Sequence, residues 1–160
     1  MKQKYEFEFE QLEDIQFLSV ADGTLLKAAR NATKTAYAPY SKFKVGAAAL
    51  LSNGQIVIGS NQESASYPVG ICAERTLLNS IGSQFSSESI IAMAISYDTD
   101  KAACDEPISP CGMCRQSLLD FENRYQSPIK IILAGQSGPI MVFNAAKNLL
   151  PFGFNGSILR

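Results

Sequence analysis

The stretch "SIIAMAISY", residues 89–97, decides the fold. It is apolar without alternation over most of its length, too short for a buried helix and bounded by Ser and Asp, which suits a strand covered on both faces. "IKIILAG" (129–135) repeats the pattern, and "GPIMVF" (138–143) is a shorter version. Upstream, "FKVGAAALLSNGQIVIGSN" (43–61) reads as two strands joined through Ser52-Asn53-Gly54, since Asn-Gly between apolar runs is a strong hairpin signal. Between these runs lie helical patterns. From Asp22, taken as the N-cap, Leu25, Leu26, Ala29, Ala32, Thr33 and Ala36 share one face, with Pro39 past the end. Cys72 to about Ile81 forms a second helix stopped by Gly82, a third starts near Cys111, and "NAAKNLLP" is a helical piece ended by Pro151. Doubly buried strands alternating with helices imply an α/β fold, a three-layer α/β/α sandwich around a mixed sheet of about five strands.

A chain of 160 residues is the size of one domain. We place that domain at 22–160 and treat 1–21 as an N-terminal extension. Its alternating "KYEFEFEQ" suits an edge strand or an arm packed on the domain or a partner. The net charge of -1, with no basic run, argues against a nucleic-acid partner. No segment has the roughly 18 apolar residues of a membrane span, and the charged start is unlike a secretory signal, so a cytoplasmic location is expected. Four cysteines in such a chain point to metal binding or catalysis more than to disulfides.

Three of those cysteines stand at predicted helix starts. "ICAERTLLNS" (71–80) supplies Cys72, Glu74 and Arg75, and "SPCGMCRQSLLDF" (109–121) supplies Cys111 and Cys114. The positive end of a helix dipole favours thiolate, the form that binds metal. Three thiolates leave zinc a fourth position, as catalytic sites require. Cys-x-x-Cys alone is equally open to a redox dithiol or two buried thiols, and Cys104 as a fourth ligand would close the site and make it structural. Glu74 would be idle beside a closed site but could move protons beside an open one. Because positions i and i+2 of a helix diverge, Cys72 and Glu74 converge only if Cys72 is the cap. Three thiolates leave zinc with a formal charge of -1, which Arg75, and as a second candidate Arg115, could balance, although a surface salt bridge is the ordinary fate of either.

"CAER" followed by "PCGMCRQ" resembles the zinc-dependent cytidine deaminases of the three-cysteine type, a signature general to base-deaminating zinc enzymes. "YAPYSKFKVGAAAL" (37–50), "GSNQESASYP" (59–68) and "LLPFGF" (149–154) extend the match over about residues 22–156. The resemblance implies one zinc per chain on Cys72, Cys111 and Cys114. It implies that Glu74 carries a proton from water to N3 of the pyrimidine and then to the departing amine. It implies that Phe43, Asn61, Glu63 and Ala73 contact the substrate and that Arg75 balances charge. It further implies a homotetramer in which Tyr67 and Phe154 reach a neighbouring subunit's site. The activity so implied is conversion of cytidine and deoxycytidine to uridine and deoxyuridine in pyrimidine salvage. Alternatives are another aminohydrolase on this scaffold, such as a blasticidin S deaminase, and a non-catalytic zinc-stapled binding module. The chain departs from the usual family pattern at Ser64, where Asn is common, and at Asn155-Gly156, where Gly-Pro is common.

Overall fold

In the computed structural model, which describes residues 1–159 and, at 157 and 158, the backbone only, the apolar run becomes the inner strand β4 (Ile90–Thr99). It pairs antiparallel with β2 (Phe43–Leu51) on one side and parallel with β5 (Lys130–Ala134) on the other. Beyond β2 lies β3 (Ile56–Ser60). Beyond β5 lie β6 (Ile140–Phe143) and then β1 (Glu10–Leu12), giving the order β1-β6-β5-β4-β2-β3. The mixed sheet therefore has six strands, against the about five read from sequence. The extra one comes from the N-terminal extension, where Glu10 sits opposite Val142 and Leu12 opposite Ile140. So short and charged an edge strand discourages further pairing.

Side chains alternate across β4. Met93 and Ile95 enter a core with Leu77, Leu78 and Ile81 of α2 (Ala73–Gln84) and Leu118 of α3 (Gly112–Tyr125). Ala92 and Ala94 face Leu25, Leu26 and Ala29 of α1 (Val20–Ala32) on the other side. Two glycines set how close the helices come. A Cβ on Gly46 would fall 2.2 Å from the Ala29 carbonyl, and one on Gly59 would fall 2.8 Å from Ala73 O and Leu77 N. The second contact seats the start of α2 directly on β3.

Several boundaries differ from the sequence reading. Ser19, not Asp22, caps α1, its Oγ accepting from the Asp22 N–H at 3.1 Å, while Asp22 joins the first turn and pairs with Lys130 at 3.0 Å. The α-helix stops at Ala32, where the Thr33 and Thr35 hydroxyls bond back to the carbonyls of Arg30 and Ala32. Gly82 does not end α2. It lies inside the helix, and the Phe121 ring of α3 passes 3.5 Å from where its Cβ would be. The piece before Pro151 is a 3-10 turn, Ala146–Leu149. It is held by the buried Glu122, whose carboxylate accepts from the N–H groups of Ala146 (2.7 Å), Lys147 (2.9 Å) and Ile129 (2.8 Å). Among the described residues, no helix is long and apolar enough to cross a membrane.

Candidate metal centre and substrate cavity

Cys72 and Cys111 are the N-caps of α2 and α3, both with extended backbone (φ -72°, ψ 155° and φ -65°, ψ 165°). Cys72 thus lies outside the helical turn that carries Glu74, as their convergence requires. Cys114, one turn into α3, is buried. The three sulfurs lie within 4.8 Å of one another, with Cys72 to Cys111 at 3.8 Å and Cys111 to Cys114 at 3.4 Å. Tetrahedral zinc with sulfur at 2.3 Å needs about 3.8 Å between sulfurs, so the donor set fits zinc in type and spacing. Cys104 is elsewhere. Its sulfur accepts from the Thr99 N–H at 3.3 Å and its carbonyl accepts from Gln136, which ties the loop after β4 to the one after β5.

The electrostatics match a place built for a cation. Hydrogen bonding from Cys114, assisted by Cys111 and Arg75, draws the Cys72 thiol down to about 5 against the opposing effect of burial. The same contact, with burial and the Glu74 charge, pushes Cys114 up. Burial also pushes the Glu74 carboxyl up, and the Cys72 charge adds to it. Burial pulls Arg75 down, but Cys72 and Cys114 outweigh it and hold the guanidinium above its ordinary value. Glu74 is only 4% exposed, and its Oε2 has no hydrogen-bond partner, nor has the buried Nε of Arg75. A buried, unpaired carboxylate oxygen is costly, which marks a position kept for something else. Arg115 is committed otherwise, donating to the carbonyls of Pro110 (2.8 Å) and Leu149 (3.1 Å) and so bracing the approach to Cys111.

Over the sulfurs opens a cavity of about 440 Å³ whose walls include Phe43, Asn61, Glu63, Cys72, Glu74 and Cys111. Phe43 stacks on Tyr97 at 5.0 Å with the planes 17° apart. Asn61 bridges the start of β2, accepting from Val45 N at 2.7 Å and donating to Phe43 O at 2.9 Å. Glu63 Oε2 accepts from the N–H groups of Tyr40 (2.9 Å) and Ser41 (3.2 Å). The Ser41 hydroxyl, joined by these N–H groups, holds Glu63 below the usual carboxylate range against the opposing effect of burial. Ser64 also lines the cavity, its Oγ accepting from Ser66 N. Ala73 is fully buried at the first helical position of α2 and is not among the residues that line this cavity. Tyr67 is on the rim, 81% exposed, edge-on to Tyr40 at 6.4 Å. Phe154 is 60% exposed and is not among the residues that line this cavity. The sequence reading missed Tyr97, which backs Phe43, and the apolar walls Val45, Ile71, Ile108 and Met113. Ile71 and Met113 had a local signal, their places next to Cys72 and Cys114.

The zinc-binding region of the cytidine and deoxycytidylate deaminases matches this chain over residues 20–126, which take in the three sulfurs and Glu74 and leave out β1. A cytidine deaminase of Halalkalibacterium halodurans is 37% identical over 130 residues, 81% of this chain and 91% of the relative. One from Sporosarcina psychrophila is 38% identical over 131 residues, 82% and 89% of the two chains. Among solved structures, the cytidine deaminase of Burkholderia pseudomallei superposes with a TM-score of 0.70 at 36% identity, covering 82% of this chain and 97% of its own.

Proposed function

This chain belongs to the cytidine and deoxycytidylate deaminase family, and we propose that Cys72, Cys111 and Cys114 hold the single zinc, that Glu74 moves the protons, and that the cavity above them takes the nucleoside. The reaction is the zinc-dependent hydrolysis of cytidine to uridine and ammonia. The observation that carries the residue assignment is the unpaired Glu74 Oε2, buried beside three sulfurs at zinc spacing.

When bound, zinc supplies the Lewis acidity that makes water a nucleophile near neutral pH. Glu74 takes a proton from that water and delivers it to N3 of the pyrimidine as the C4–O bond forms. It then carries the second proton to the amine as the C4–N4 bond breaks, so that one water enters and one ammonia leaves. Arg75 offsets the negative charge of the three thiolates, which keeps the metal electrophilic. Phe43, backed by Tyr97, offers the pyrimidine an apolar wall. The Asn61 amide, fixed by its bonds to β2, keeps one Nδ2 hydrogen for a ribose hydroxyl, and Glu63, held by the Tyr40 and Ser41 N–H groups, serves the same end of the substrate.

We further propose a cytoplasmic homotetramer serving pyrimidine salvage and acting on deoxycytidine as well as cytidine, with Tyr67 and Phe154 completing a neighbouring subunit's site. The support is physical. Both are exposed aromatic rings, and Phe154 does not line the cavity over the sulfurs of its own chain.

Ammonia release from the zinc-loaded protein given cytidine, deoxycytidine, cytosine, CMP and blasticidin S tests these assignments together. The two nucleosides are expected to react, and chelation of zinc is expected to abolish turnover until zinc is restored. Cytosine turned over as fast as cytidine would remove Asn61 and Glu63 from sugar binding. Full activity in a protein that sediments as a monomer would end the shared-site reading.

A further inference from the structure

The segment carrying Phe154 is gripped by the helix that carries two of the three sulfurs. Gln116 Nε2 donates to the Phe154 carbonyl at 3.0 Å, and the Phe154 N–H donates to Gln116 Oε1 at 3.2 Å. With both its backbone groups held by one amide, Phe154 has its two flanking peptide planes fixed, and with them the direction of its Cα–Cβ bond. The second Nε2 hydrogen goes to Asp120 Oδ1 at 2.9 Å. A carboxylate only accepts, so Asp120 prevents the Gln116 amide from turning over.

The tail needs such a grip. Phe152 has φ 57°, a left-handed conformation that is unfavourable for a residue with a side chain. Gly153 lies flush on α3, where an added Cβ would fall 2.4 Å from the Leu119 side chain. After Phe154 come Asn155 and Gly156, neither with the ring that pre-sets φ in proline. The local sequence therefore supplies little stiffness where an aromatic ring is presented outward, and the hydrogen bonds supply it instead.

We propose that Gln116, oriented by Asp120, is a positioning residue for substrate binding that acts through Phe154. The proposal rests on the reading that Phe154 serves a neighbouring subunit's cavity. Gln116 does not line its own chain's cavity and holds no sulfur. Its effect should thus fall on affinity and leave the chemistry alone.

The test is steady-state kinetics on cytidine, with zinc content and sedimentation measured alongside, for Gln116→Leu, Asp120→Ala, Phe154→Ala and the double variant Gln116→Leu/Phe154→Ala. Gln116→Leu is expected to raise KM about tenfold, the scale of one misplaced aromatic contact, with kcat within about twofold and one zinc per chain. Asp120→Ala, which only frees the amide, is expected to raise KM about threefold. The double variant is expected to be no worse than Phe154→Ala alone. An unchanged KM in Gln116→Leu beside a raised KM in Phe154→Ala overturns the positioning role and spares the shared site. A normal KM in Phe154→Ala overturns both. Additive effects in the double variant show that Gln116 acts by another route and overturn the proposal. Should Gln116→Leu fail to fold or lose zinc, Asp120→Ala at its exposed position decides by the same KM criterion.

Discussion

Two buried glutamates, Glu74 at the start of α2 and Glu122 near the end of α3, are almost equally hidden at 4% and 7% exposure, yet their oxygens are spent in opposite ways. Glu122 accepts three backbone N–H groups and joins α3, β5 and the 3-10 turn before the tail. Glu74 leaves Oε2 unpaired among thiols. A buried carboxylate with its bonds made is structural, and one with a bond withheld bears the cost of burial for the sake of chemistry. The same residue type at similar depth thus separates a carboxylate whose bonds are made from the one proposed to move protons.

The largest effect that would test this contrast is on turnover. Glu74→Gln keeps the shape but removes the base, so kcat on cytidine should fall by about 10²–10⁴ or more with one zinc still bound by metal analysis. The thermal midpoint of the variant should stay level or rise, because a buried charge without a full set of partners has been neutralised. Near-normal turnover would end the assignment. Glu122→Gln should give the mirror image. An amide can satisfy two of the three N–H groups through its oxygen but turns a donor toward the third. Denaturant unfolding should show a loss of about 1–3 kcal/mol, while kcat per folded molecule stays within about twofold. A large fall in kcat without loss of stability would erase the distinction between the two sites. The smallest effect is expected at Cys104, whose sulfur serves the loop after β4. Cys104→Ser should keep one zinc and nearly full activity and cost no more than about 1 kcal/mol. Loss of zinc there would replace the open three-sulfur centre by a closed one.

The sequence reading succeeded where the signal is short-range. Asn53-Gly54 makes the β2–β3 turn with Gly54 at φ 84°, and the apolar run at 89–97 becomes an inner strand. The requirement that Cys72 be a cap and not a helical residue is met by its backbone angles. Errors came where two short-range signals competed or a distant residue intervened. Ser19 and Asp22 are both good caps, and Lys130 across the sheet engages Asp22 as a helical residue. Gly82 is a good terminator by composition, but packing of Phe121 against that turn carries α2 on to Gln84.

Residue types, their spacing within a turn and the hairpin chemistry are local properties, and by themselves they determined the layered α/β class, the two cysteine-capped helices and the presence of a carboxylate two positions past a thiol. The strand register is not local. It is decided by how whole faces bury against three helices, and a shift of one residue would turn every side chain to the other face. That register alone sets Phe43 against Tyr97, because Val45 pairs with Tyr97 and Phe43 with Thr99. The close approach of two helix starts alone brings sulfurs from positions 72 and 111 to 3.8 Å. The assignment of Glu122 to the N–H groups of Ala146 and Lys147 and of Gln116 to the Phe154 backbone likewise needed segments more than 20 residues apart to meet. Only tertiary packing, which places such segments side by side, could decide which buried polar groups are satisfied and which, Glu74 Oε2 and Arg75 Nε among the described residues, are not.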